Sequence, residues 1–206
     1  PHPQIDTKVI AFSSNAHYFA TVTPDMKESK LYDTKQKKVV HTVTRHKGSV
    51  FCVAIDPRDK YMFSCGEDGL VFVIDIKSGQ LAFTLPRHTD SVNDIAFSED
   101  GYLVATGGYD RNVSLFSMAT MTPLATLKAH SAPVIKIIFL DNGRLVSIDK
   151  KCGAIVWNTH SFAMISRLQG IHDDVTAVTL SGDGSFLFIG SKLGYIMVFD
   201  AHSYDA

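Results

Sequence analysis

Cysteine is scarce in this chain. Cys52, Cys65 and Cys152 are the 3 present among 206 residues, and no two form a CxxC pair. An odd, sparse set argues against a disulfide framework and leans toward a reducing, cytoplasmic compartment. No close Cys/His or Asp/Glu cluster has the spacing of metal ligands, so no metal is expected. An excess of charge is missing too. Lys and Arg number 20 against 21 Asp and Glu, a formal net charge of −1. That leaves no general attraction for nucleic acid or anionic lipid. Long hydrophobic runs are absent. The longest, Val134 to Leu140, is interrupted by Lys136 and falls far short of the ~20 residues of a membrane helix. No stretch keeps a helical apolar period. No glycine-rich loop follows a strand and opens a helix, so no phosphate-bearing cofactor is expected. The first residues are Pro1-His2-Pro3-Gln4, with no Met and no signal peptide, which predicts a segment from within a longer protein.

What is present is a period. His46, His88, His130 and His172 stand 42 residues apart. A fixed interval of this size marks stacked or radial supersecondary units. Polar residues that recur with the unit need a structural explanation before a functional one.

The unit that begins at His46 contains four short apolar runs. They are Val50 to Ile55, Tyr61 to Ser64, Leu70 to Ile76 and Gln80 to Leu85. Between them lie Asp56-Pro57-Arg58-Asp59, Gly66-Glu67-Asp68-Gly69 and Lys77-Ser78-Gly79, all turn chemistry. Four strands joined by tight turns form an antiparallel meander. Later units repeat it: Asp94 to Ser98 is a first strand, Gly107-Gly108-Tyr109-Asp110 a second turn, and Asn142-Gly143 and Asp183-Gly184 further turns. The third strands end alike, as Leu31-Tyr32-Asp33, Val73-Ile74-Asp75, Leu115-Phe116-Ser117, Val156-Trp157-Asn158 and Val198-Phe199-Asp200. The fold class is therefore all-β. One domain, 1–206, is expected, with repeats near 4–45, 46–87, 88–129, 130–171 and 172–206.

A His before the first strand, a tight turn after the second and an aromatic-polar ending to the third resemble the WD-repeat β-propellers. Their unit has ~40–45 residues and four strands per blade. The resemblance covers essentially the whole chain. It departs from the family pattern in that no Gly precedes the repeated His, and Trp157 is the single Trp.

The resemblance implies a hydrogen-bonded network within each blade. It joins the His, a second-strand Ser or Thr, an Asp in the following turn and the third-strand Trp. The second repeat offers His46, Ser64 and Asp68, with Ile74 at the Trp position. The third offers His88, Thr106 and Asp110, with Phe116. The fourth has His130, Ser147 and Trp157 but places Lys151 at the Asp position, and the fifth has His172 with Ile189 and Leu193. The network is thus expected to be most complete at His88 and His46 and incomplete in the last two repeats. Ser, His and Asp in combination also invite a catalytic reading. A nucleophile appears once per site, whereas this set recurs at one period, so no catalytic residue is assigned.

Members of this family usually bind a protein or peptide on the top face or rim, and the resemblance implies the same role here. The residues flanking the repeated His and opening the first strands are the candidates: Arg45, Lys47, Phe51, Arg87, Thr89, Asp90, Asn93, Ile135, Asp173 and Asp174. Phe51, Arg45 and Arg87 have the chemistry of binding anchors. The cation-rich stretch from Lys27 to Lys47 reads as a solvated hairpin edge, with a basic rim for an acidic partner as the alternative.

By this count the chain holds four complete blades and a fifth of three strands. Pro1-His2-Pro3-Gln4 is a poor candidate for the missing strand, because proline removes ladder donors. Seven blades are usual in the family, so the chain reads as part of a larger propeller. An open arc predicts self-association or strand donation at its open end. Two other roles remain: a purely structural segment completed by another chain, and a propeller enzyme or redox-accessory domain.

Overall fold

The computed structural model describes residues 9–86, 88–141 and 143–205. The expectations for Pro1 to Gln4, Arg87 and Asn142 lie outside the described residues. Five antiparallel sheets follow one another along the chain. The first comprises β1 (Ile10–Phe12), β2 (Tyr18–Val22), β3 (Ser29–Asp33) and β4 (Lys38–Val43). The second comprises β5 (Val50–Ile55), β6 (Tyr61–Gly66), β7 (Val71–Asp75) and β8 (Leu81–Leu85). The third holds β9 (Val92–Phe97), β10 (Leu103–Gly108), β11 (Asn112–Ser117) and β12 (Pro123–Lys128). The fourth holds β13 (Val134–Phe139), β14 (Arg144–Asp149), β15 (Ala154–Asn158) and β16 (Met164–Leu168). The fifth has β17 (Val175–Leu180), β18 (Phe186–Ser191) and β19 (Ile196–Asp200). Each sheet is a meander, its strands paired in sequence order. These are the blades of a β-propeller, and they are numbered 1 to 5 below.

Burial explains why the middle strands read as continuous apolar runs. β6, β10 and β14 are buried at every position but the first, because each is covered on both faces by neighbouring blades. The fourth strands lie at the perimeter. β8 and β16 are exposed over most of their length and bury only the final Leu. Four apolar cores lie in series between successive blades. Leu31 and Val43 of blade 1 meet Met62 and Phe72 of blade 2. Phe63 and Val73 meet Val92 and Phe116. Leu115 and Leu127 meet Leu145 and Ile155. Val156 and Leu168 meet Ile189 and Phe199. A chain whose core is divided this way is stabilised mainly by nearest-neighbour interfaces.

The loops that carry the repeated His define the top of the molecule. The seven cations between Lys27 and Lys47 do not gather on one face. They are spread from the top turn of blade 1, along β3 and β4, to the loop before β5.

Two turn assignments are corrected. Gly66 is the last residue of β6 rather than the first of the turn after it. Gly107 and Gly108 belong to β10 rather than to the turn after it, and neither has a positive φ. Close approach is what requires them. A Cβ on Gly107 would stand 2.6 Å from Val134 Cγ1 of the next blade, and one on Gly108 would stand 2.7 Å from the Ser91 carbonyl.

Candidate functional site

In blades 2, 3 and 4 the top loop folds back over its own blade to drop a histidine ring onto the end of the second strand. In blade 2, His46 Nδ1 lies 3.0 Å from Asp68 Oδ1 and Nε2 lies 2.9 Å from Ser64 Oγ. In blade 3, His88 Nδ1 lies 2.9 Å from Asp110 Oδ2 and Nε2 lies 2.7 Å from Thr106 Oγ1. The consistent assignment has Nδ1–H donating to the carboxylate while Nε2 accepts from the hydroxyl.

Blade 4 corrects the expectation that its network is broken. His130 Nδ1 donates to Asp149 Oδ2 at 2.8 Å, and Nε2 accepts from Ser147 Oγ at 2.6 Å. Trp157 Nε1 donates to the same Ser147 oxygen at 2.7 Å. This is the most complete of the three networks, and Lys151 is not a member of it. The carboxylate has moved two residues back, from the turn to the last position of the second strand. Pairing shows the shift. Asp149 pairs with Val134 where Gly66 pairs with Val50 and Gly108 with Val92. The hypothetical Cβ of Gly108 lies 3.0 Å from His88 Nδ1, so a side chain at this position points at the imidazole. Gly153 makes the room. Its Cβ would lie 2.5 Å from Asp149 Oδ2, and its N–H donates to Asp149 Oδ1 at 3.0 Å.

In blade 2 the aromatic partner also comes from an unexpected place. Phe72, two residues before Ile74, sets its ring 4.7 Å from that of His46. In blade 5, His172 is exposed, and its ring makes no hydrogen bond to the described residues.

A hydroxyl, an imidazole and a carboxylate in line have the geometry of an activated nucleophile. Access decides against that use. Ser64, Thr106 and Ser147 are each 0% exposed, so no substrate can reach the oxygen. Ser147 Oγ is further committed to the Trp157 N–H.

At His130 the electrostatics fit a neutral imidazole. Burial lowers the pKa of His130, against the pull of Asp149. Burial raises Asp68 and Asp110, but hydrogen bonds from His46 and His88 and from nearby backbone N–H groups outweigh it. Both carboxyls end below the ordinary range. An unfolded chain takes up a proton at His130 near its ordinary 6.5, whereas the folded chain resists it. Stability from this group is therefore full above that pH and lost as pH falls through the window below it. Asp68 and Asp110 add a second loss below 3.8. The melting temperature is expected to fall between pH 7.5 and 5 (both ~) and to fall further in stronger acid. A melting temperature that rises on acidification contradicts the neutral, buried histidine.

Of the candidate contact residues, three converge. Asn93, Ile135 and Asp174 line a top-face groove of about 410 Å³ between blades 3, 4 and 5, together with Tyr109, Lys150 and Lys192. The last three occupy one repeat position, directly after the second strand. Their backbone N–H groups are held alike: Tyr109 to Ser91 O, Lys150 to Pro133 O and Lys192 to Asp174 O, at 2.8, 2.9 and 2.8 Å. Glu67 holds the same place in blade 2, bonded to Ser49 O. Lys150 Nζ stands 5.9 Å from the Tyr109 ring centroid, and Lys192 Nζ stands 3.7 Å from Asp174 Oδ2. Arg45, Lys47, Thr89 and Asp90 are exposed on top loops outside this groove, and Phe51 is half-buried on β5. Asp173 is drawn toward blade 5, where Oδ2 accepts the Leu193 N–H at 2.7 Å.

Asp94 escaped the sequence reading. It sits buried on β9, where Oδ2 accepts the Ile137 N–H at 2.9 Å and Oδ1 lies 3.5 Å from Lys136 Nζ. The neighbouring Asn93 Nδ2 donates to Val134 O at 2.7 Å. The pair latches blade 3 to blade 4 under the groove floor. Cys52, Asp94 and Lys136 are 42 residues apart, and that spacing was the available signal. On the bottom face, a cavity of about 440 Å³ contains Arg144. Its guanidinium is taken up by Asp141, Ala201 O and Tyr204 Oη. Among the described residues, no group of three His, Cys, Asp or Glu is placed to hold a metal ion.

Serial antiparallel meanders, three of them pinned by a buried imidazole, define a protein of the propeller class. The sequence profile described as "WD domain, G-beta repeat" matches residues 37–75, 79–117 and 164–200, more than half of the chain. The chain belongs to the WD-repeat family. Each match runs from one blade's outer strand through three strands of the next, and the matched segments leave out the repeat of His130. No curated protein matches the sequence. Domains of this family are in general protein-interaction scaffolds and are typically non-catalytic.

Proposed function

We propose that the chain is a non-catalytic scaffold that takes a peptide or a protein loop into the top-face groove between blades 3, 4 and 5. The groove itself carries this reading. It combines an exposed aromatic ring, Tyr109, and an apolar wall at Ile135 with convergent polar groups from Asn93, Lys150, Asp174 and Lys192. Concave sites that pair apolar surface with a few fixed polar groups are where ligands bind. Rigidity supports it as well: the Asp94 and Asn93 latch and the repeated backbone bonds fix the lining positions before any partner arrives. The three lining residues at the post-strand position explain how one repeated architecture carries a specific surface, since the backbone is common and only the side chains differ.

The test is selection of binding peptides from a random library against the whole chain. Tyr109→Ala and Lys150→Glu are expected to abolish binding by most selected peptides while leaving the melting temperature unchanged, because both residues are exposed. Glu99→Ala, on the bottom face, is expected to leave binding intact. Peptides that bind the Tyr109 and Lys150 variants as well as the parent place the binding surface elsewhere.

A further inference from the structure

Charge in the top-face groove is unbalanced among the described residues. Lys150 and Lys192 stand there at one repeat position on adjacent blades, and Asp174 is the carboxylate of the lining. Asp174 is already engaged, with Oδ2 at 3.7 Å from Lys192 Nζ. Asp173, beside it in the chain, accepts the Leu193 N–H of blade 5. Lys150 has no such counterpart. Among the described residues its ammonium makes no ion pair, and its contact is the Tyr109 ring, with the centroid at 5.9 Å. Lys151, exposed on the same turn, adds a further cation beside it.

The groove also has a direction. From blade 3 to blade 5 its repeat position reads Tyr109, Lys150 and Lys192. Tyr109 is 40% exposed, and Ile135 adds an apolar wall. Tyr109 and Lys150 are therefore neighbours of different character: a ring for an apolar side chain, and an unpaired ammonium for an anion. The backbone N–H groups at all three positions are committed to the preceding top loops, so the side chains make the selection. Asn93 donates Nδ2 to Val134 O and keeps Oδ1 as an acceptor for a main-chain N–H.

We propose, resting on the reading of this groove as the peptide site, that it selects an acidic segment in which Glu or Asp stands beside an apolar residue. The carboxylate pairs with Lys150, and the apolar side chain lies on Tyr109 and Ile135. A carboxylate suits Lys150 because a lone ammonium acts as a point charge. A phosphoryl group is clasped in two-pronged fashion by Arg, and no Arg lines the groove among the described residues. Lys150 is exposed, so one such pair adds little affinity. Its larger effect is on choice, since Lys or Arg at the same place in a peptide would set like charges together.

The probe is a random dodecapeptide library, selected in parallel against the whole chain and its Lys150→Glu and Lys150→Arg variants. The parent and Lys150→Arg are expected to enrich Asp or Glu at one position beside an aromatic or aliphatic residue. Lys150→Glu is expected to enrich Lys or Arg there instead. A peptide from the parent pool is then synthesised with its acid, with the matching amide and with Lys at that position. Titration calorimetry is expected to show about a two- to fivefold loss for the amide, the worth of one exposed ion pair. The Lys peptide loses more on the parent and regains affinity on Lys150→Glu, and binding of the acidic peptide weakens as salt is raised. Peptides that need Tyr109 but show no acidic preference overturn the charge selection and leave the groove as the peptide site. Peptides indifferent to both Tyr109→Ala and Lys150→Glu overturn the groove reading itself. A phosphoserine at the acidic position that binds more than about tenfold tighter than Glu overturns the carboxylate and assigns the groove to phosphopeptides.

Discussion

Asp149→Ala is expected to destabilise the chain by about 2–4 kcal/mol, while Lys151→Ala leaves stability nearly unchanged. Asp149 serves three donors at once. Oδ2 accepts from His130 Nδ1, and Oδ1 accepts from the N–H groups of Lys151 and Gly153 at 2.9 and 3.0 Å. Its side chain is 3% exposed and the His130 ring is 0% exposed, so water cannot replace the lost acceptor without opening the loop. Lys151 is exposed, and nothing in blade 4 depends on its side chain. Urea denaturation of the two variants measures the difference. A further variant sharpens it: Asp149→Gly combined with Lys151→Asp copies the arrangement of Gly66 and Asp68 and is expected to recover part of the loss. Equal damage from Lys151→Ala and Asp149→Ala would return the carboxylate role to the turn.

That contrast also shows what a sequence can and cannot disclose here. The repeated histidine was legible because each ring begins a unit of nearly constant length. The third strands β7 and β15 were legible because they are buried on both faces and must stay apolar. Asp149 was not, because counting along the chain assigns a role to a position, whereas the imidazole only needs a carboxylate in one region of space. The end of the second strand and the following turn both reach that region. Gly153 was the missed signal: the other repeats have Leu70 and Asn112 there, and only a residue without a side chain leaves space for a carboxylate behind it. Phe72 escaped for a related reason, since it contacts His46 from a different register than Trp157 contacts His130. The groove was half legible. Asn93, Ile135 and Asp174 flank the first strands and were visible as such. Tyr109, Lys150 and Lys192 share a repeat position as well, but their chemical types differ, so only the common backbone bond to the preceding top loop reveals them as one set.

Gly66→Ala is expected to cost about 1–3 kcal/mol, at the upper end of what one methyl group does in a packed interior. The added Cβ would stand 2.1 Å from the Ser49 carbonyl oxygen and 3.0 Å from its carbon. Both are backbone atoms, so no side-chain rotation relieves the contact, and the loop between His46 and β5 has to move. That loop holds His46 over Ser64, and Ser49 O accepts the Glu67 N–H at 2.8 Å. Relief of the clash therefore strains the imidazole network and the top-face register together. Gly69, three residues on, has a different reason to be glycine. Its φ is +73°, and Ala there loses about 1 kcal/mol through backbone conformation alone. Gly182→Ala is the control, with no atom within 4 Å of the new Cβ and no positive φ. It is expected to change stability by less than about 0.5 kcal/mol. Thermal melts of the three variants rank the causes: close backbone approach first, left-handed conformation second, open surface last. A Gly66→Ala protein as stable as the Gly182→Ala one would mean that the loop yields without loss, and that the His46 network tolerates a displaced backbone. In that case the glycine at the end of the second strand marks only turn chemistry, as its neighbours in the sequence first suggest.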